Sequence, residues 1–173
     1  MFVSTGAAET NEEVVGRYQG MITRIAFHYV KNHHDADDIC QEAFIRWVTK
    51  RPAFRDGEQE KAWMIRVAVN LCKNHLKTAW FRKTAPLDEG LSLAAPEKSG
   101  ILHEVLALPD KYKAVIYLHY YEGYKTEEIA RILKKKHGTV LAHLSRARQI
   151  LKRELSGGIT DGSTEIHRGY KPS

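Results

Sequence analysis

The stretch that most constrains the fold is a helical segment, residues 61–81, whose first half is apolar almost all the way round. The side chains that give it this character are Ala62, Trp63, Met64, Ile65, Val67, Ala68, Val69, Leu71 and Cys72. A helix without a polar face must be covered by other elements on most of its surface. We therefore predict that this helix is the central rod of an N-terminal helical domain.

The same segment is strongly basic. Residues 61–87 contain six lysine or arginine residues and no acid, with tryptophan and phenylalanine side chains interleaved. Basic residues mixed with aromatic ones suit the phosphates and unstacked bases of a nucleic acid. Arg66 and Asn70 interrupt the apolar run, so they belong either to a buried polar network or to a ridge that faces nucleic acid.

A segment of opposite charge precedes this helix. Residues 35–47 carry four acids within eight positions: Asp35, Asp37, Asp38 and Glu42. The apolar residues of the segment recur at helical spacing, at Ile39, Ala43 and Trp47. They predict a buried stripe that leaves the acids facing outward. An acidic face beside a basic one indicates an adaptor between a protein and a nucleic acid.

The positive charge of the chain is concentrated rather than spread. A second acid-free run, residues 129–153, holds eight cations, so fourteen of the 27 lysine and arginine residues lie in two windows. The formal net charge of +6 understates this clustering. Clustered cations are the electrostatic footprint of a polyanionic partner, and the alternative is a pair of solvated helix faces.

The remaining pattern predicts an all-α protein of two small domains, residues 11–83 and 101–155. Residues 84–100 contain two prolines, two glycines and two serines with little periodicity, which is typical of a flexible linker. Residues 1–10 and the Gly/Ser-rich tail 156–173 are expected to be disordered. In the first domain we predict a helix over 11–31 and a loop over 51–57, with Asp35 as the N-cap of the acidic helix.

The second domain has the form of a helix-turn-helix. Thr126 is predicted to cap a short helix over residues 127–133, residues 134–137 form a turn, and the last helix runs over 138–155. Two helices joined by a short turn, the second of them basic, are typical of duplex DNA binding.

No sequence motif for catalysis or cofactor binding is present. There is no phosphate-binding loop, no dinucleotide glycine fingerprint, no nucleophile elbow and no HExxH zinc motif. The acids of residues 35–42 could hold Mg²⁺ in a nuclease-like site, and Cys72 with His75, His33 and His34 could hold zinc. The acids diverge around the helix and CxxH lacks a paired zinc motif, so we expect no metal, no cofactor and no catalytic residue.

The cysteines and the hydropathy favour a reducing compartment. Cys40 and Cys72 both fall on apolar sides of helical patterns, so no disulfide framework is indicated. The N-terminus lacks a signal-peptide pattern, and no apolar run approaches membrane-spanning length. The sequence predicts a soluble cytoplasmic protein without direct membrane insertion.

Several segments together resemble bacterial sigma-70-type initiation factors, most closely the small extracytoplasmic-function (ECF) group. Residues 35–47, DADDICQEAFIRW, resemble the family's D-A-E-D-x-x-Q-E-x-F-x-x-x-W, and residues 63–70, WMIRVAVN, resemble its W-L-x-R-I-A-x-N. Leu108-Pro109, YEGY at 121–124, EIA at 128–130, GTV at 138–140 and LSRAR at 144–148 resemble its C-terminal helix-turn-helix. The match covers about residues 14–155, in order.

The resemblance implies three binding surfaces and no small-molecule substrate. Core RNA polymerase would contact Asp35, Asp37, Asp38, Gln41, Glu42 and Arg46. The melted minus-ten promoter element would lie on the loop 53–60 and on Lys61, Trp63, Arg66, Asn70, Lys73, Asn74 and Lys77. The minus-thirty-five duplex would contact Lys134, Lys135, Lys136, Gly138, Thr139, Ala142, His143, Ser145, Arg146 and Arg148. The resemblance also allows for an anti-sigma factor as a partner.

The recognition helix departs from the family pattern. The usual Leu-Gly-x-Pro-x-Gly-Thr-Val is LKKKHGTV here, and the Lys/Arg-Ser-Arg that follows is replaced by Leu141-Ala142-His143. We therefore expect duplex binding that depends steeply on salt and weakly on sequence, with His143 supplying charge when protonated near pH 6. The alternatives to a sigma factor are a stand-alone helix-turn-helix regulator, which has no use for the acidic helix, and a metal nuclease.

Overall fold

Helices account for every regular element in the computed structural model of the chain, which describes residues 9–84 and 100–157. In chain order they are α1 (Asn11–Val30), α2 (His33–Lys50), α3 (Gly57–Thr84), α4 (Gly100–Ala107), α5 (Asp110–Ile116) with a π-helical turn (Tyr117–Tyr121), α6 (Thr126–Leu133) and α7 (His137–Gly157). The all-α prediction is confirmed. None of the described helices is long and apolar enough to cross a membrane.

Helix α3 is the central element of the N-terminal half, as its apolar circumference predicts. Its residues Met64, Ile65, Ala68 and Cys72 are fully buried, and it packs against both α1 and α2. The helix begins four residues before the predicted Lys61, because the Asp56 carboxylate accepts the Gln59 backbone N–H at 2.8 Å and caps the first turn.

The start of α2 corrects the prediction that Asp35 is its N-cap. Asn32 holds that position, and its Oδ1 accepts the Asp35 backbone N–H at 2.8 Å. The Asp35 carboxylate accepts from Asn32 Nδ2 in return, also at 2.8 Å. The helix therefore begins at His33, two residues before Asp35.

A buried carboxylate connects the three N-terminal helices. Glu60 of α3 is 7% exposed, and its oxygens accept from Tyr18 Oη of α1 at 3.0 Å and from Trp47 Nε1 of α2 at 3.1 Å. Arg17 Nη1 adds a third contact at 3.3 Å. Because each helix contributes a partner, this network fixes their relative positions.

The C-terminal half has the predicted helix-turn-helix form, with α6 and α7 joined by a turn in which Lys134 has a left-handed φ of 51°. Thr126 is the first helical residue and not the cap, which is a second correction. Glu128 accepts the Lys125 backbone N–H at 2.8 Å, while the Thr126 hydroxyl contacts His137 Nε2 at 2.9 Å. Helix α7 continues to Gly157, so the predicted tail begins in a helix.

The two halves pack against each other, which the sequence did not predict. Helix α3 contacts α6, α1 contacts α5, and the buried residues of both halves form one continuous hydrophobic core. Thr84 and Gly100, the ends of the predicted linker, are helical. Residues 85–99 lie outside the described part of the chain, as do residues 1–8 and 158–173.

Candidate protein-docking and nucleic-acid interfaces

Helix α2 presents an acidic face to solvent. Asp37, Asp38 and Gln41 are exposed, and the Asp38 side chain is 61% accessible. Glu42 and Arg46 are half-buried and form an i,i+4 ion pair at 3.0 Å. Both therefore lie at the surface, but each is already paired with the other. This outward orientation is the one that the buried Ile39–Ala43 stripe predicts.

Two apolar residues that the sequence analysis assigns to no surface share this face. Ile45 is 57% exposed and Val48 is 37% exposed, and they follow Asp38 and Gln41 at helical spacing. Neither residue belongs to the Ile39–Ala43 stripe, and this difference in helical position could have identified them as exposed. Exposed apolar residues beside charged ones are typical of a protein-binding surface, whereas they add nothing to a metal site.

The residues weighed as metal ligands are held by other interactions. Cys72 is fully buried, and burial raises the pKa of its thiol to about 12, so it is no ligand partner for His75. His75 Nε2 instead lies 3.2 Å from Asp35 Oδ2. His34 Nδ1 lies 3.7 Å from Asp35 and 3.5 Å from Asp38, and these three residues could approach one ion together. The His34 side chain is 85% exposed, and weak surface pairing accounts for this cluster.

Apart from Lys61, the predicted nucleic-acid residues of α3 share one side of the helix by helical spacing, and they differ in accessibility. Asn70, Asn74 and Lys77 are exposed. The others are half-buried: Lys61, Trp63, Arg66 and Lys73. Trp63 packs edge-on against Phe54 of the preceding loop, with ring centroids 6.0 Å apart, so the aromatic platform is formed by loop and helix together.

The half-buried cations of α3 are covered by the C-terminal half. Arg66 Nη1 donates to the Ile132 carbonyl at 3.1 Å, one of the carbonyls left unpaired at the end of α6. Lys61 Nζ lies 3.7 Å from the Glu122 carboxylate and 5.1 Å from the centre of the Tyr124 ring. This packing therefore occupies part of the face that the sequence assigns to single-stranded DNA.

Glu122 connects the halves at a second point. Its Oε1 accepts from Tyr117 Oη at 2.9 Å and lies 4.0 Å from Arg24 Nη2 of α1. Arg24 Nε also donates to Tyr117 Oη at 3.3 Å. Glu122 thus contacts cations of α1 and α3 at once, so its charge stabilises the packed arrangement.

Most of the predicted duplex-binding residues of the C-terminal half are accessible. Gly138, Ala142, Ser145 and Arg146 are exposed along α7, as are Lys134 and Lys136 of the turn, whereas Lys135 and Thr139 are half-buried. Arg148 is exposed but engaged, since its Nε donates to Tyr120 Oη at 2.7 Å.

His143 is placed differently from the prediction. Its ring packs edge-on against Tyr112 of α5 with centroids 5.4 Å apart, and its Nδ1 is buried without a hydrogen-bond partner. Burial, followed by the charges of Lys135, Lys111 and Lys73, lowers the pKa of His143. The lowered pKa disfavours the charged ring that the sequence analysis expects near pH 6, because the position of His143 next to the buried Val140–Leu144 stripe turns the ring toward α5.

Comparison with known proteins identifies the family. The chain is 34% identical to RNA polymerase sigma factor SigV of Bacillus subtilis (strain 168) over 140 positions, which cover 77% of this chain and 83% of SigV. It is 30% identical to ECF RNA polymerase sigma factor SigW of the same strain over 178 aligned positions, covering 88% of this chain and 92% of SigW. The chain belongs to the ECF group of the sigma-70 family. The model of Sigma-70 region 2 matches residues 14–82, and that of Sigma-70, region 4 matches residues 100–151.

Two solved structures share the fold. The sigma factor RpoE from Bartonella quintana, co-crystallised with the anti-sigma factor NepR, matches with a TM-score of 0.65 at 18% identity, over 84% of this chain and 96% of that one. CnrH in complex with the cytosolic domain of CnrY matches with a TM-score of 0.63 at 20% identity, over 88% and 92%.

Membership of the family separates the alternatives. A stand-alone helix-turn-helix regulator does not account for the region 2 match over α1–α3, and a nuclease accounts for neither match. Within this sigma factor, region 2 carries the acidic face of α2 and the basic face of α3, and region 4 carries the helix-turn-helix. The packing described above therefore places region 4 on the basic face of region 2.

Proposed function

We propose that this sigma factor binds core RNA polymerase through the exposed face of α2, centred on Asp38, Gln41, Glu42 and Ile45. The observation that carries the proposal is the combination of accessible acids and accessible apolar side chains on one face of one helix. Charge complementarity selects the partner, and the apolar residues supply the area that is removed from water.

Helix α3 is proposed to hold the minus-ten element as a single strand. Melted bases need a stacking platform and a cationic groove, which Trp63 with Phe54 and the lysines of α3 supply. Asn70 and Asn74 are exposed amides on the same side, able to read base edges. Helix α7 is proposed to bind the minus-thirty-five duplex through Ser145 and Arg146, with Lys134 and Lys136 positioned for the phosphates.

The protein is proposed to act by binding rather than by catalysis. We infer a cytoplasmic location from the two partners, core polymerase and promoter DNA. An anti-sigma factor is a further proposed partner, because the structural relative RpoE was solved in complex with the anti-sigma factor NepR.

The test is reconstitution of the full chain with core RNA polymerase on genomic DNA fragments, followed by sequencing of the transcript 5′ ends. We expect starts that depend on the added chain and share an upstream sequence element. Duplex binding without polymerase, and no transcript that depends on the chain, would instead support a stand-alone regulator.

Removing the charge that bridges the halves should expose the basic face of α3. We expect Glu122→Gln to raise the affinity of the full chain for a single-stranded promoter oligonucleotide about fivefold, which corresponds to ~1 kcal/mol for a partly buried charge with two cationic partners. Fluorescence anisotropy of a labelled non-template strand measures this. Glu127→Gln is the matched control, since it removes the same charge from an exposed residue of the same half. Equal affinities for the two variants would show that the packing does not limit DNA binding.

A further inference from the structure

A cavity of about 200 Å³ lies between α3 and the helix-turn-helix, and cations line it from both halves. Arg66 and Lys73 come from α3, Lys111 from α5, and Lys134 and Lys135 from the turn before α7. None of its described lining residues is acidic. Five positive side chains around one small space mark a strongly positive potential.

Within the described part of the chain, no carboxylate balances the positive charge of this cavity. No carboxylate in the described ranges 9–84 and 100–157 is within ion-pair distance of any of the five cations. Asp110, the acid of the adjoining groove, lies 3.3 Å from Lys113 Nζ instead. Burial and then the charges of Lys135 and Lys77 lower the pKa of Lys73, and burial lowers that of Arg66. The packed arrangement therefore holds like charges together, which costs free energy unless an anion joins them.

A buried hydroxyl without a partner belongs to the same cavity. Tyr29 lines it and is 2% exposed, and its Oη is buried with no hydrogen bond. The Ala114 backbone lies near this hydroxyl but does not reach hydrogen-bond geometry. Buried hydroxyl groups are normally paired, and an unpaired one in a native structure calls for an unseen partner. An anionic oxygen in the cavity would accept from it.

The cavity adjoins a larger groove that is lined by three of the same lysines. Lys73, Lys111 and Lys135 line both spaces, and the groove continues past Lys77 to Trp80, which is 61% exposed. A ligand longer than one phosphate group can therefore extend from the cavity into the groove and remain among cations.

We propose that the cavity between region 2 and region 4 binds a small phosphate-rich anion, of the oligophosphate class, which holds the two regions packed together. Lysine and arginine side chains supply the charge, and the Tyr29 hydroxyl and the Asn70 amide supply directed hydrogen bonds. The anion can be a free oligophosphate or the phosphate chain of a nucleotide, since both present the same oxygens.

The regulatory consequence rests on the function proposed above. Arg66, Asn70 and Lys73 are the residues assigned to the minus-ten strand, so an anion among them competes with promoter DNA. It also favours the packed arrangement, because it binds cations of both regions only when they are together. Oligophosphate should then lower the affinity for single-stranded DNA by occupying the site.

The experiment is calorimetric titration of the full chain with inorganic triphosphate, and separately with a nucleoside triphosphate, at physiological salt without divalent cations. We expect saturable binding with one anion per chain. If the nucleotide bound more tightly than triphosphate, we would assign its base to the groove beside Trp80. If the two bound equally, the phosphate chain alone would account for binding.

The decisive variant is Lys111→Glu, because Lys111 lines both spaces and belongs to neither proposed DNA surface. We expect it to weaken triphosphate binding at least tenfold, whereas Lys152→Glu, the same charge change at an exposed residue of α7, leaves it unchanged. Tyr29→Phe removes one oxygen without altering the charge, and a several-fold loss is expected there.

Equal losses for Lys111→Glu and Lys152→Glu, or no saturation, would overturn the cavity assignment and show a diffuse ion atmosphere. The transcription assay described above is independent of this titration. If the chain bound triphosphate but supported no transcription, the proposed function alone would be contradicted. If it supported transcription but bound no triphosphate, the anion site alone would be contradicted.

Discussion

Reversal of two acids on α2, Asp38→Lys with Glu42→Lys, is expected to lower the affinity of this sigma factor for core RNA polymerase by a factor of about 100 or more. Both side chains are accessible, so the reversal places like charges against the partner surface at two positions of the proposed contact. The double variant should also lose transcription at core concentrations that saturate the wild type. Binding of labelled sigma factor to core polymerase measures the first effect, and run-off transcription measures the second.

Two comparisons make this result specific. Glu12→Lys with Glu154→Lys changes the net charge equally at exposed residues of α1 and α7, and should bind polymerase normally. Ile45→Ser removes an exposed apolar contact without a charge change, and should weaken binding about tenfold while circular dichroism stays unchanged. Wild-type affinity of the Asp38/Glu42 double variant would exclude α2 as the docking helix.

The elements that could be predicted are those whose signal is local. The apolar circumference of α3 requires burial wherever the neighbours come from, and Met64 and Cys72 are indeed fully buried. The acidic face of α2 follows from the Ile39–Ala43 stripe by helical periodicity alone. In both cases the residues that decide the outcome lie within a few turns of one helix.

Helix boundaries were predicted less well because neighbouring residues compete for the capping position. Asn32 and Asp35 can both cap a helix. In the structure Asn32 is the cap, and the Asp35 carboxylate accepts a hydrogen bond from the Asn32 side-chain amide in return. Asp56 stands beside Gly57, which indicates a loop as readily as a helix start. The choice depends on where the preceding helix must end to pack.

The cavity between the regions could not be predicted, because its residues come from four separate segments. Arg66 and Lys111 are 45 positions apart in the sequence, and no periodicity connects them. Each acid-free cluster of cations by itself predicts a polyanionic partner. That the two footprints meet at one space is a property of the packing of region 4 on α3.

The burial of Glu60 and its hydrogen bonds to two other helices could not be predicted from the sequence either. An acid at the start of a helix is ordinarily explained by the helix dipole, and nothing in the neighbouring residues indicates burial. Its partners Tyr18 and Trp47 lie 42 and 13 positions away, on two other helices. Arg17 is 44% exposed and contributes little, so the stabilisation depends mainly on the Tyr18 hydroxyl and the Trp47 indole N–H.

Glu60→Ala is expected to reduce the free energy of unfolding by about 3 kcal/mol, which lowers the melting temperature by roughly 6–12 °C for a chain of this size. The substitution leaves the Tyr18 hydroxyl and the Trp47 indole N–H without an acceptor in a site that solvent barely reaches. Glu60→Gln keeps one acceptor oxygen and should lose less. Glu58→Ala, at an exposed position one half-turn earlier, should change stability by less than about 0.5 kcal/mol. Urea denaturation followed by circular dichroism gives all three values. If Glu60→Ala and Glu58→Ala unfolded at the same urea concentration, the carboxylate would not hold the three helices together, and the packing of Met64 and Ile65 would have to account for their arrangement.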